Sequence, residues 1–231
     1  MRIICISDTH NNIGKFEIPD GDLLLHAGDI TLGFGPRDKD TLISKLEEAL
    51  VVFAELPHKH KVLIAGNHDF LFQDYPDIAK EMVARHIDQG VIYLQDSSCA
   101  LSIEGKDYKI YGSPWQPWFH NWAFNFPIGH TYHDKWDAIP DDTDILVTHS
   151  PPYGTLDGVP SRNDKHEFLW DNKGCKSLAT RVAVVKPALH VFGHIHVSRG
   201  EACKDGTHYV NAAIVNSSYS PYNEPIVVDY L

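Results

Sequence analysis

Val62-Leu63-Ile64-Ala65-Gly66-Asn67-His68-Asp69 is an aliphatic run that stops at glycine and continues as an amide, an imidazole and a carboxylate. The run reads as a buried strand with an abrupt end. The polar side chains beyond it are those from which a metal site or an acid–base site is made. Taken alone the stretch also describes an ordinary polar turn, but it has counterparts. Arg2-Ile3-Ile4-Cys5-Ile6-Ser7 runs into Asp8-Thr9-His10, and Leu23-Leu24-Leu25-His26-Ala27 into Gly28-Asp29. Ile145-Leu146-Val147-Thr148 runs into His149, and Leu189-His190-Val191-Phe192 into Gly193-His194-Ile195-His196. Open α/β sheets bind ligands outside the carboxyl ends of their strands, so these ends are expected to meet at one crevice.

The chain of 231 residues suffices for one well-buried core and is read as a single domain over 1–231. Hydrophobic residues at 43% and charged residues at 22% fit a globular protein in water. A net charge of −11 argues against a long nucleic acid or an anionic membrane as partner, because both reward clustered Lys and Arg. Cys5, Cys99, Cys175 and Cys203 form no Cys-x-x-Cys pair and read as small buried thiols of a reducing compartment. The first apolar run is broken by Ser7-Asp8, too early for a signal peptide or a span, so a cytoplasmic location is expected. Histidine is abundant, at 15 residues, and His-x-His spacing alone is therefore weak. His58-Lys59-His60 shares that spacing but precedes its strand among lysines, and is expected to be solvated.

Apolar residues at Leu42, Leu46, Ala49, Leu50, Phe53 and Leu56 recur at helical spacing and predict an amphipathic helix whose stripe is core. A second helix is expected from about Asp77 to Gln89, closed by Gly90, and a third from about Cys175 to Val185. Val91 to Tyr111 reads as a meander of short strands; Glu201–Asn211 and Ile226–Asp229 read as closing strands. Residues 113–143, rich in aromatics and prolines, are expected to form a long loop with one short helix, and loops of that length in compact domains are usually functional.

Asp8-x-His10, Gly28-Asp29, Gly66-Asn67-His68-Asp69, His149 and Gly193-His194-x-His196, in this order, resemble the calcineurin-like metallophosphoesterase superfamily. Ile110–Pro117, Trp122–Asn125 and Val147–Gly154 look more narrowly like its metallophosphoesterase-domain brain proteins and their microbial relatives. The resemblance implies a mixed α/β fold of two packed mixed β-sheets flanked by helices, a four-layer sandwich. It implies two divalent metals: one held by Asp8, His10, Asp29 and His196, the other by Asp29, Asn67, His149 and His194, with Asp29 bridging. Two carboxylates against two such ions leave the centre near +2, suited to a phosphate ester, and the imidazole-rich donor set favours Mn, Fe or Zn. A hydroxide held between the metals would attack phosphorus in line. His68 would face the leaving oxygen as general acid or charge stabiliser, with Asp69 orienting its ring by a hydrogen bond.

The reaction so implied is hydrolysis of small phosphate esters, with phosphodiesters favoured. Asp29 is followed by Ile30-Thr31-Leu32-Gly33 where protein serine/threonine phosphatases of the superfamily carry Asp-Arg-Gly, and Asp69 stands where they carry Glu. Both departures argue against a phosphoprotein substrate. A phosphomonoesterase and a non-catalytic scaffold that keeps the fold are the alternatives; the complete donor set argues against the scaffold. From Ser113 to Thr131 the chain has six Trp or Phe rings and no Lys or Arg. Such a loop could present a ring to a nucleobase, and Trp115 or Trp118 is the expected contact of a nucleotide-like substrate.

Overall fold

The computed structural model describes residues 1–126, 132–162 and 166–229. Among them the chain forms β1 (Arg2–Ile6), β2 (Leu23–His26), α1 (Lys39–Glu55), β3 (His60–Leu63), α2 (Phe70–Asp74), α3 (Pro76–Ala84) and β4 (Val91–Tyr93). It continues with β5 (Ser97–Ile103), β6 (Lys106–Ser113), α4 (His133–Asp137), β7 (Ile145–Thr148), β8 (Gly158–Arg162) and β9 (Phe168–Asn172). The last elements are α5 (Lys176–Val185), β10 (Leu189–Phe192), β11 (Gly200–Lys204), β12 (Thr207–Asn211) and β13 (Ile226–Asp229). One sheet has the order β13-β1-β2-β3-β4, a second β11-β12-β10-β7-β6-β5, and β8 pairs with β9 alone. β1 to β4 run parallel, with β13 antiparallel against β1.

Side-chain alternation builds the layers. On β1, Ile3 and Cys5 face the second sheet and pack in one cluster with Val62, Ile145, Val147 and Val191. Ile4 and Ile6 point the other way and join Leu46, Leu50 and Phe53 of α1. The outer face of the second sheet gives Tyr111, Leu146 and Phe192 to Trp136 of α4 and Leu178 and Val182 of α5. The expected four-layer arrangement of two mixed sheets between helices is therefore present. Its central strands are apolar on both faces, which is why they read as continuous runs rather than alternating ones.

Several local expectations are corrected. The helix placed at 77–89 is α3, which begins at Pro76, where the missing N–H costs nothing, and is preceded by the short α2. The meander of 91–111 is divided: β4 completes the first sheet and β5–β6 belong to the second, so the chain changes sheets between them. His58 is buried, its Nε2 2.9 Å from the carbonyl of Pro19. Lys61 beside it is also buried and donates to the carbonyls of His58 and Gln89, which is how a charge survives there. Cys203 is exposed and Cys99 half-buried; Cys5 and Cys175 are buried as expected. The long segment after Ser113 does contain one short helix, α4; its residues 127–131 lie outside the described residues.

Candidate metal centre

The C-terminal ends of β1, β2, β3, β7 and β10 deliver Asp8, His10, Asp29, Asn67, His149, His194 and His196 to one crevice. Asp8, His10, Asp29, Asn67 and His149 are buried; His194 and His196 are partly open at the mouth. The turns are sharp. Asp8, His10, Asp29 and His194 have φ of 57°, 45°, 56° and 66°, a left-handed conformation that costs a non-glycine residue energy and persists only where surroundings impose it. Two glycines are required by close approach. A Cβ on Gly66 would lie 2.3 Å from Asp29 Oδ1, and one on Gly193 would lie 2.1 Å from Asp8 Oδ2.

The histidines are distinguished by their outer ring nitrogens. A carbonyl oxygen only accepts, so a ring nitrogen bonded to one must carry the hydrogen. Nδ1 of His10 lies 3.2 Å from the carbonyl of Thr31, that of His149 2.9 Å from Ala27, and that of His196 3.0 Å from Asn216. Each of these rings, when neutral, turns an Nε2 lone pair toward the crevice, the orientation that metal-ligating histidines take from backbone carbonyls. His194 faces inward through Nδ1, 2.7 Å from Asn67 Oδ1, which is also 2.9 Å from His149 Nε2. His68 is the opposite case. Its Nδ1 accepts a hydrogen bond of 3.1 Å from the backbone N–H of Gly33, so the neutral ring carries its hydrogen on Nε2, 4.0 Å from Asp29 Oδ2. By distance His10, Asp29 and His68 could hold an ion together, but an N–H is no ligand.

This corrects the expected role of Asp69. Asp69 does not orient the His68 ring: its Oδ1 accepts from the N–H and hydroxyl of Thr31, and its Oδ2 from the N–H groups of Gly66 and Ile30. The carboxylate ties the loop after β2 to the loop after β3, and Gly33 on the first of these orients His68. Burial, with Asp29 nearby, pushes the Asp69 carboxyl up to about 7 against those four donors.

Charge in the crevice fits the same division. Burial lowers His10 to about 4 and His194 to about 3, and depresses His68 as well, so all three rings are neutral at pH 7. At His149 burial is outweighed by Asp29 and Asp8, and its pKa rises to about 9. The same holds in direction for His196 beside Asp8, whose Oδ1 is 3.3 Å from its Nε2. Asp29, although buried, is held well below the usual carboxylate range, chiefly by His149. At pH 7 His149 thus holds a proton where the neighbouring carboxylates would take a cation. His10 Nε2 and Asn67 Nδ2 are buried without a hydrogen-bond partner among the described residues. Convergent acceptors, imposed tautomers and an unpartnered ring nitrogen fit divalent metal ions.

A cavity of about 700 Å³ opens from the centre. Trp118 lines it and is half exposed. Trp115 is not among its lining residues: the indole N–H donates to Asp96 and the ring stacks on Phe126, because Asp96 and Lys135 hold it from the opposite side. The sequence reading counts Trp122 among the rings of the loop without selecting it as a contact, and passes over Tyr219; the Trp122 ring centroid is 4.2 Å from that of His68, and Tyr219 is 4.9 Å from His10. Tyr219 sits in a turn at φ 59°, a position that apolar patterning does not mark. Lys173 and Lys176, which also line the cavity, were missed as well.

The family model for calcineurin-like phosphoesterases matches residues 1–198, a span that holds all seven converging donors. The chain is 40% identical over 248 aligned residues to Metallophosphoesterase domain-containing protein 1 of Homo sapiens, covering 99% of this chain and 70% of that protein. It is 33% identical to a UPF0046 protein of Caenorhabditis elegans, over 98% of this chain and 74% of that protein. Among solved structures, the Phosphopantetheinyl Hydrolase of Mycobacterium tuberculosis superposes with a TM-score of 0.56 at 14% identity, covering 98% of this chain and 95% of that one; this likeness concerns the fold. With the family's motifs present at strand ends that converge as a metal site requires, the chain belongs to the calcineurin-like phosphoesterases.

Proposed function

We propose that the protein hydrolyses small phosphate diesters with two divalent metals, Mn, Fe or Zn, nucleotide-like diesters being the favoured substrates. The observation that carries this reading is the contrast of tautomers: His10, His149 and His196 are set to offer lone pairs, while His68 beside them is set to offer an N–H. Asp29 lies between the donor sets, with Oδ2 3.9 Å from His10 Nε2 and 3.4 Å from His149 Nε2. It is the residue that would bridge, with Asp8, His10 and His196 on one side and Asn67, His149 and His194 on the other. Metals bound there would supply Lewis-acid polarisation of the phosphoryl group and a water of lowered pKa.

The chain's own residues do the rest. His68 presents Nε2–H to a developing negative oxygen, and Trp122 and Tyr219 pack around it and exclude water. Trp118 offers a ring face to the organic part of the ester. The free thiols suit a reducing compartment, and the cytoplasm is the proposed location; no helix among the described residues is long and apolar enough to cross a membrane.

The test is elemental analysis of wild type and Asp29→Ala, together with turnover of bis(p-nitrophenyl) phosphate and p-nitrophenyl phosphate in Mn. Wild type should hold two metals per chain and prefer the diester, and the variant should lose most metal and all turnover. One metal at saturation, or unchanged content in the variant, rejects the bridge; preference for the monoester rejects the diesterase.

A further inference from the structure

Part of the cavity lining comes from two segments, 151–157 through Tyr153 and 172–176 through Asn172, Lys173, Gly174 and Lys176. Asp157 holds them together. It is buried, and its Oδ2 accepts from the N–H of Gly154 at 3.0 Å and of Gly174 at 2.8 Å. Its carbonyl accepts from Lys173 N, while Cys175 N donates to Pro151 and Tyr153 N to Cys175. Gly174 fits so closely that a Cβ would lie 2.7 Å from the carbonyl carbon of Pro152. A buried carboxylate among backbone N–H groups is costly and fixes backbone rather than a ligand. What this clamp presents to the cavity is Lys173 and Lys176.

In a chain of net charge −11, these are the only Lys or Arg side chains lining the cavity among the described residues. Neither is tied up. Lys173 meets Asp171 at 3.4 Å with both side chains about half exposed, a contact worth little, and Lys176 lies 5.0 Å above the Tyr153 ring. A cavity of about 700 Å³ is of the size that encloses a whole organic ligand. One phosphoryl group at the metal centre leaves most of it, including the part lined by the lysines, for the remainder of the substrate.

We infer that Lys173 and Lys176 form a second anion subsite, and that the substrate class is a phosphodiester whose organic part carries a further anionic group. A cyclic nucleotide with an additional phosphate and a dinucleotide with a terminal phosphate both have this chemistry. The inference rests on the reading of the metal centre as a phosphoester site, and its test separates the two.

The manganese-loaded protein is titrated calorimetrically with ω-carboxyalkylphosphonates of graded chain length and with the plain alkylphosphonates of equal length. At the length that spans the centre and the lysines, the added carboxylate should tighten binding about tenfold, less so in high salt. Lys173→Gln/Lys176→Gln should remove that gain and leave the plain phosphonate unchanged. If plain phosphonates bind wild type but no chain length gives a gain, or the gain survives in the double variant, the subsite is refuted and the metal reading stands. If no phosphonate of either series binds, the phosphoester reading fails and the subsite with it.

Discussion

One hydrogen bond at His68 decides how that ring can act. An imidazolium there would set its Nδ1–H against the N–H of Gly33, and burial already keeps the ring neutral. In the proposed reaction His68 would therefore stabilise charge through Nε2–H and not deliver a proton from a charged ring. His68→Ala should keep its metals and lose about 10²- to 10³-fold in kcat, the usual worth of one positioned donor. The loss should be similar for p-nitrophenyl and alkyl diesters, because leaving groups of unequal basicity respond unequally to proton transfer but alike to a hydrogen bond on phosphoryl oxygen. A much larger loss on the alkyl ester would restore the proton donor. At this scale the sequence shows which residue types gather, since Asp8, Asp29, Asn67 and His149 each follow a legible strand. It does not show tautomers, which depend on backbone groups of Thr31, Gly33, Ala27 and Asn216 that no motif marks. That is why Asp69 was given the work of Gly33.

Elements were legible where burial imposes a period. The stripe of α1 follows it, and the strands β1, β2, β3, β7 and β10, buried on both faces, stand out instead as continuous apolar runs. The hairpin β8–β9 was missed because Phe168, Leu169 and Trp170 on it are all exposed, so no inward face repeats along it. The aromatic loop was recognised by composition, yet composition could not separate its rings. Trp115 has its indole N–H taken by Asp96, whereas Trp118 is half exposed over the cavity. Trp118→Ala should raise KM several-fold for a cyclic nucleotide and leave a small aryl diester nearly unaffected, given about 1–3 kcal/mol for a stacked base. Equal losses, or a lower Tm with unchanged KM, would make the ring structural. Trp115→Ala should show that second pattern, since it opens a space between two clusters of the core.

Across the whole molecule, metal, protons and stability are linked. In the metal-free protein the pKa of His149 is raised to about 9 by Asp29 and Asp8, above the ordinary 6.5. A raised pKa stabilises the folded state fully below 6.5, and that stability is lost as pH rises through about 9. Metal-free protein should therefore melt at lower temperature at pH 9 than at pH 7, while metal-saturated protein should not show this fall. Binding at pH 7 should release protons from His149 and, in part, His196, measured by calorimetry in buffers of different ionisation enthalpy. An apo Tm independent of pH over this range would count against the His149–Asp29 pair.

The pairing of β1 with β13 has a consequence for how the molecule is made. The strand that leads into Asp8 and His10 is made before β2, which can join one of its edges soon afterwards. Its other edge waits for Ile226–Asp229, far later in the chain than β2. His194 and His196 also arrive late, so a nascent chain holds its two earliest acidic donors, Asp8 and Asp29, long before the crevice can close around them. A polypeptide released before residue 226 would keep an apolar strand edge unpaired, a template for joining other chains.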